Sequence, residues 1–221
     1  MTAIECRGLL FDLDGTLVNS TPAVARVWSV FALRHGFDPG EVVARAHGRP
    51  SMTTVKEYLP GGDHVAENAI VERGEIEDTE GVVPLPGAIE LLASLPADAW
   101  TIVTSCSRRL AESRLRAAGM VIPARMITSS DIVRGKPDPE PFLKGAALLG
   151  FAPGECVVFE DAPAGIRSGK TSGARVVAFR TTAEDATLLK CGADWIADNP
   201  SDVTVVNPGK LNGEWVRFGL R

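Results

Sequence analysis

The sequence has few of the residues that build metal–thiolate sites or disulfide frameworks. Its 221 residues include only three histidines and four cysteines, which are Cys6, Cys106, Cys156 and Cys191. The cysteines are far apart and none forms a CxxC pair, which argues against zinc ligation and against a disulfide framework. Because this usage is typical of a reducing compartment, we expect a cytoplasmic protein.

Long apolar runs and an excess of positive charge are also absent. No uninterrupted apolar stretch approaches the roughly 20 residues that span a bilayer, and Glu5, Arg7 and Asp12 interrupt the region where a signal peptide would be apolar. The formal net charge of −5 argues against nonspecific nucleic-acid binding. We therefore expect a globular protein with neither a membrane nor a nucleic-acid partner. We take it to be a monomer, although nothing in the sequence identifies the oligomeric state.

Short apolar segments alternate with helical patterns along most of the chain. Strands are predicted at 7–11, 100–104, 125–127, 156–159, 175–179 and 194–196. Helices are predicted at 87–95, 108–118, 139–149 and 164–172. The strand segments are continuously apolar, which is typical of parallel strands buried on both faces. We therefore predict an α/β fold with a doubly wound, mostly parallel sheet.

One segment breaks this alternation. Between about residues 22 and 80 no strand pattern occurs, and Val24, Val27, Trp28 and Phe31 follow helical spacing. We interpret residues 19–81 as an inserted helical cap domain and residues 1–18 plus 82–221 as the α/β core domain. The C-terminal segment resembles a hairpin with a tight turn at Asn212-Gly213.

Polar groups follow several of the predicted strands. The segment "FDLDGT" places Asp12 and Asp14 after the first strand, and Glu160 and Asp161 follow "CVVF". Thr104 and Ser105 follow "WTIV", and Lys136 lies in the loop "SSDIVRGKPDP". Since parallel strands present their carboxyl ends at one edge, these groups should converge there. Carboxylates concentrated without Cys or His favour Mg²⁺, which binds carboxylates together with phosphate oxygens.

These four motifs resemble those of the haloacid dehalogenase-like (HAD) phosphohydrolase superfamily, and they occur in the family's order. "PEPFLKGAALLGF" and "VVFEDAPAGI" are most similar to its sugar-phosphatase and glycerol-phosphate phosphatase branch. The resemblance implies that Asp12 attacks phosphorus and that Asp14 is the general acid and base. It also implies that Thr104 and Ser105 hold the phosphoryl group and that Lys136 offsets charge. Mg²⁺ would be held by Asp12, the backbone carbonyl of Asp14, and Asp161, with Glu160 in support.

Each candidate residue also has a purely structural interpretation. Asp12 and Asp14 could form a turn pair, Lys136 could be a solvated loop lysine, and Thr104 an ordinary strand-end residue. The joint occurrence of the four motifs favours function over these alternatives. In the cap, the loop "AHGRPS" makes Arg49 and His47 candidates for substrate binding, although a solvated arginine and a packed histidine fit the same pattern.

The resemblance predicts a Mg²⁺-dependent phosphatase acting on small sugar or polyol phosphate monoesters through an aspartyl-phosphate. A sugar phosphomutase resembling β-phosphoglucomutase would share every core motif and stays open as the alternative. A binding module that has kept the fold but not turnover is disfavoured by the complete motif set. Haloacid dehalogenase and phosphonatase activities are disfavoured because Asp14 is present.

Overall fold

The fold is described by a computed structural model over residues 2–46, 48–207 and 215–220. Its strands are β1 Thr2–Cys6, β2 Gly8–Phe11, β3 Val18–Asn19, β4 Val83–Pro84, β5 Trp100–Ile102, β6 Cys156–Glu160, β7 Arg175–Phe179, β8 Trp195–Ala197, β9 Val203–Asn207 and β10 Val216–Leu220. Its α-helices are α1 Thr21–His35, α2 Pro39–Ala46, α3 Ser51–Tyr58, α4 His64–Glu77, α5 Ala88–Ala93, α6 Arg108–Ala117, α7 Glu140–Leu149, α8 Pro163–Ser172 and α9 Asp185–Lys190.

A parallel sheet forms the centre of the molecule, as the apolar runs predicted. Its strand order among the described residues is β5-β2-β6-β7-β8, and every neighbouring pair is parallel. Strands β2 and β6 are buried along their whole length. Alternate side chains of β2 therefore enter different apolar clusters, with Leu9 and Phe11 on one face and Leu10 on the other. The predicted doubly wound α/β fold is confirmed.

A smaller antiparallel sheet with the order β1-β10-β9 packs against this core. Phe218 of β10 lies 5.5 Å from Phe159 of β6, measured between ring centroids. The pairing of β9 with β10 agrees with the predicted hairpin, whereas its predicted turn at Asn212-Gly213 lies outside the described residues. Strand β1 was not predicted, since the strand expected at 7–11 corresponds to β2 alone.

Helices α1 to α4 lie between the short paired strands β3 and β4. They surround an apolar cluster of their own, which contains Trp28, Phe31, Val42, Val55 and Val71. The pairing of Val18 with Pro84 and of Asn19 with Val83 brings the two ends of this helical segment together. The segment is therefore inserted at one point of the chain, close to the carboxyl end of β2.

Two local predictions differ from the structure. The strand expected at 125–127 is reduced to a single bridge between Ile127 and Val103, and a short 3-10 helix begins two residues later, at Ser129. Helix α9, a segment of six residues, was not predicted. In the part of the chain that is described, no helix combines the length and the hydrophobicity that crossing a bilayer would require.

Candidate active site

The carboxyl ends of β2, β5 and β6 meet at one cleft, as the strand-end argument predicted. Asp12, Asp14, Thr104, Ser105 and Glu160 all line it. Asp12 directly follows β2, while Glu160 ends β6. Residues of α1, α3 and α4 form the opposite wall. The cleft therefore lies between the strand ends of the central sheet and the inserted helices.

Lys136 links two of the predicted acidic residues. Its Nζ atom donates to Oδ1 of Asp12 at 2.5 Å, to Oε1 of Glu160 at 2.7 Å and to the carbonyl oxygen of Val103 at 3.0 Å. Burial alone would lower the pKa of Lys136, but Asp12 and Glu160 outweigh it and raise that pKa. Lys136 is thus a buried cation within the site rather than a solvated loop lysine.

Glu160 and Asp161 have different surroundings. Glu160 Oε2 accepts hydrogen bonds from the backbone N–H groups of Asp161 and Ala162, both at 2.9 Å. A Cβ atom on Gly165 would lie 1.6 Å from Glu160 Oε1, so only glycine leaves room for this carboxylate. Asp161 instead accepts hydrogen bonds from the hydroxyls of Thr16 at 2.9 Å and Thr182 at 2.6 Å.

The acidic cluster fits a divalent cation. Asp12, Glu160 and Asp161 are all buried, and one carboxylate oxygen from each lies within 4.8 Å of the others. Burial and the neighbouring carboxylates raise the pKa of Asp12 to about 7, against the lowering effect of Lys136, and raise the pKa of Asp161 well above its usual range. Added positive charge would favour the ionised forms of Asp12 and Asp161. An all-oxygen donor set of this kind is the set that Mg²⁺ and similar hard cations take.

Asp14 lies apart from this cluster and is held at both oxygens. Ser20 donates its hydroxyl to Oδ1 at 2.6 Å. Arg114 donates from Nη1 to Oδ2 at 2.6 Å, and the thiol of Cys106 donates to the same oxygen at 3.0 Å. Burial would raise the pKa of Asp14, but Arg114, Cys106 and Ser20 together lower it. Two carboxylates separated by one residue therefore have opposite pKa shifts.

The sequence interpretation did not identify Arg114 or Glu75. Arg114 of α6 also donates from Nη2 to Oε1 of Glu75 on α4, at 3.2 Å. The pKa of Glu75 is raised by burial, although Arg114 acts against this rise. The sequence does contain a pattern that indicates a buried arginine, because Arg114 shares a helix face with the apolar residues Leu110, Ala111 and Leu115. Glu75 likewise follows the buried Val71 by one helical turn.

Thr104 and Ser105 reach the cleft from the loop after β5. Thr104 is buried, and its Oγ1 accepts a hydrogen bond from the backbone N–H of Cys106 at 3.1 Å. This bond leaves the hydroxyl proton of Thr104 available to a ligand. Ser105 is half-buried in the same cleft wall.

Of the two candidates in the cap loop, the structure describes one. Arg49 lines the cleft, but its Nη2 also pairs with Oε2 of Glu57 at 2.9 Å. A ligand that used this guanidinium would compete with Glu57 for it. His47 lies outside the described residues.

Comparisons with known proteins agree with this geometry. The model of the haloacid dehalogenase-like hydrolase family matches residues 6–173. Hexitol phosphatase A of Escherichia coli (strain K12) is 46% identical over 207 residues, covering 91% of this chain and 95% of that protein. Glycerol-1-phosphate phosphohydrolase 1 of Saccharomyces cerevisiae is 34% identical over 226 residues, covering 96% of this chain and 88% of that protein. The crystal structure of a hydrolase from Pseudomonas syringae matches with a TM-score of 0.80 at 26% identity, covering 89% of this chain and 95% of that one.

Proposed function

Because the chain belongs to the haloacid dehalogenase-like hydrolases, we propose that it is a Mg²⁺-dependent phosphatase of small sugar or polyol phosphate monoesters. The observation that carries the proposal is the contrast between Asp12 and Asp14. Asp12 contacts Lys136 within the acidic cluster, whereas Asp14 contacts Ser20, Cys106 and Arg114. Two neighbouring carboxylates with opposite surroundings are suited to two different roles in one reaction. The names of the hexitol and glycerol-1-phosphate relatives support the substrate class.

Asp12 is the proposed nucleophile. Lys136 binds its Oδ1, and no hydrogen bond from the described residues reaches Oδ2. Oδ2 would form a bond to phosphorus while the bond between phosphorus and the leaving oxygen breaks, giving an aspartyl-phosphate. Lys136 would remain hydrogen-bonded to Oδ1 and would offset the negative charge of the Asp12 carboxylate and of the phosphoryl group.

Asp14 is the proposed general acid and base. Arg114 cannot accept a proton, so Oδ2 is fixed as a hydrogen-bond acceptor. The surroundings of Asp14 favour its ionised form, so it would take up the exchangeable proton when the negatively charged phosphoryl group of the substrate lies beside it. The hydroxyl of Ser20 can either donate or accept, so Oδ1 is the oxygen suited to carry that proton. That proton would pass to the departing alkoxide. Asp14 would then remove a proton from the water that attacks phosphorus, which releases phosphate and regenerates Asp12.

Residues around Asp12 complete the proposed site. Asp12, Asp161 and the backbone carbonyl of Asp14 would hold Mg²⁺, which supplies positive charge beside the phosphoryl oxygens. Glu160 would serve chiefly to orient Lys136, since its oxygens are already engaged by Lys136 and by two backbone N–H groups. The hydroxyls of Thr104 and Ser105 would donate to the phosphoryl group.

The helical segment is the proposed cap. We place its limits at residues 19–81, and those of the core at residues 1–18 and 82–221. The separate apolar cluster of α1 to α4 and the pairing of β3 with β4 support this division. Because the cap forms one wall of the cleft, it would exclude water and select the leaving group, with Arg49 and His47 as candidate contacts.

Phosphate release from a panel of substrates tests the proposal. Purified protein would be assayed with hexitol, glycerol, aldose and nucleotide monophosphates, in Mg²⁺ and in EDTA. We expect Mg²⁺-dependent release that is fastest with the polyol and sugar phosphates, and none from a folded Asp12→Asn variant. Conversion of a sugar phosphate into its isomer without free phosphate would instead establish a mutase. Full activity of Asp12→Asn would overturn the assignment of the nucleophile.

A further inference from the structure

The side chain of Arg114 connects the core, the cleft and the inserted helices. It extends from α6 and is only 5% exposed. One terminal nitrogen, Nη1, contacts Asp14 at 2.6 Å and the sulfur of Cys106 at 3.0 Å, while Nη2 contacts Glu75. Its Nε–H is buried without a hydrogen-bond partner among the described residues. A buried donor without a partner lowers the stability of the fold. Packing alone would therefore disfavour an arginine at this position, and its contacts with the carboxylates of Asp14 and Glu75 explain its presence better.

Glu75 belongs to α4, on the side of the cleft that faces the core. Its side chain is 7% exposed, and it contacts a guanidinium that originates in the core. A second contact joins the same two helices, since the hydroxyl of Ser113 donates to the carbonyl oxygen of Ile76 at 2.9 Å. The position of α4 therefore determines whether Glu75 reaches Arg114.

We propose that Arg114 is a positioning residue for Asp14, and that Glu75 makes this positioning depend on the placement of the inserted helices. The inference rests on the proposed phosphatase function. Ser20 holds one oxygen of Asp14 and Arg114 holds the other, so the carboxylate is fixed between them. Glu75 fixes the second arm of the guanidinium and thereby its plane. When α4 moves away, Arg114 loses its contact with Glu75. The orientation of the Asp14 carboxylate toward the leaving oxygen is then less restricted.

The proposal makes a specific demand on the leaving group. Asp14 donates a proton to the leaving oxygen as its bond to phosphorus breaks, so its aim matters most when that oxygen would otherwise depart as a strongly basic alkoxide. p-Nitrophenolate is a weak base and needs little protonation. A fault in positioning should therefore slow hydrolysis of an alkyl phosphate far more than hydrolysis of p-nitrophenyl phosphate. A general loss of structure would slow both equally.

The test compares kcat for these two substrates in Arg114→Met, Arg114→Lys and Glu75→Gln. For a hexitol phosphate we expect kcat to fall about 100-fold in Arg114→Met and about 10-fold in Glu75→Gln, with less than about a 5-fold fall for p-nitrophenyl phosphate. Arg114→Lys should recover part of the loss, because an ammonium can reach Asp14 but does not form the two-armed contact. Arg116→Met on α6 and Glu77→Gln on α4 are matched controls, since both side chains are exposed, and should leave both rates unchanged.

The outcomes separate the inference from the function on which it rests. If wild-type protein releases phosphate from neither substrate, the phosphatase proposal itself fails. If wild type is active and the variants lose both activities equally, or keep both, the positioning role is overturned. Circular dichroism checks folding; if Arg114→Met does not fold, Glu75→Gln and Arg114→Lys decide by the same ratio of rates.

Discussion

Nζ of Lys136 lies 2.7 Å from Oε1 of Glu160, and both side chains are almost completely buried. The lysine thus contacts a carboxylate in addition to Asp12, and this second carboxylate is itself fixed by two backbone N–H groups. The contact gives Glu160 a role that its sequence position did not specify. It holds the ammonium group of Lys136 next to Asp12.

Gly165 provides the first prediction. A Cβ atom at this position would lie 1.6 Å from Oε1 and 1.9 Å from Cδ of Glu160. Gly165→Ala should therefore displace Glu160, weaken its contact with Lys136 and lower the free energy of unfolding by about 2 kcal/mol or more. Urea denaturation measures this change. Gly61→Ala is the matched control and should be close to neutral, because nothing lies within 4 Å of its added methyl group.

The acidic cluster predicts how stability depends on pH without a metal. Because the pKa of Asp12 is raised from 3.8 to about 7, folded protein holds a proton that unfolded protein has already released between these values. The contribution of Asp12 to the free energy of unfolding should therefore decrease as pH rises from about 4 to about 7. Asp12→Asn removes this pH-dependent contribution. The free energy of unfolding of the variant should therefore increase relative to that of the wild type over the same pH range. Denaturation in EDTA at several pH values measures it.

Bound Mg²⁺ should oppose the loss of stability that the acidic cluster causes as pH rises. Bound to the folded protein at 100 times its dissociation constant, it would raise the free energy of unfolding by about 2.7 kcal/mol. Asp161→Asn should reduce that gain, whereas Asp185→Asn changes an exposed carboxylate and should retain it. An equal gain in Asp161→Asn and wild type would contradict the proposed ligand set.

The strand-end residues were predictable because the sheet dictates where they lie. Asp12, Thr104 and Glu160 follow three buried apolar segments, and parallel strands bring such positions to one edge. Lys136 was predictable only through the family resemblance, since it lies in a loop whose path the sequence does not reveal. The contact of Lys136 with Asp12 spans 124 positions of the chain.

Arg114 and Glu75 could not be placed from the sequence in the same way. Arg114 lies 100 positions from Asp14 and 39 positions from Glu75 in the sequence. No strand order determines how α4 packs against α6. "RRLAESRLRAAG" contains four arginines, of which Arg108, Arg109 and Arg116 are not buried. Only the place of Arg114 on the apolar face of α6 distinguishes it from these three. Helical periodicity could have identified a buried arginine, but not its partners.

Lys136 gives a prediction that separates catalysis from stability. Lys136→Met leaves Asp12 and Glu160 buried without their cation, so the free energy of unfolding should fall by about 3 kcal/mol in EDTA. The loss should be smaller in Mg²⁺, because the metal restores positive charge to the cluster. kcat should fall by at least about 100-fold even in Mg²⁺, since Oδ1 of Asp12 loses its donor. Lys56→Met alters an exposed lysine of α3 and should leave both quantities unchanged.

Arg49 is shared between the cleft and an ion pair, which makes its role testable in two directions. It lines the cleft, and its Nη2 lies 2.9 Å from Oε2 of Glu57. If Arg49 binds the substrate, Arg49→Met should raise KM by about 10-fold with little change in kcat. Glu57→Gln should lower KM, because it frees the guanidinium for the substrate. Steady-state kinetics with a hexitol phosphate measures both changes.

Arg45→Met is the matched control for this pair. Arg45 also contacts Glu57, with 2.7 Å between Nε and Oε1, but it does not line the cleft that contains Asp12 and Asp14. Its loss should therefore leave KM nearly unchanged or raise it slightly, since Glu57 would then hold Arg49 more strongly. Equal effects of Arg45→Met and Arg49→Met on KM would mean that the ion pairs act only on the stability of α2 and α3. In that case the substrate contact would have to come from another residue of the cleft wall.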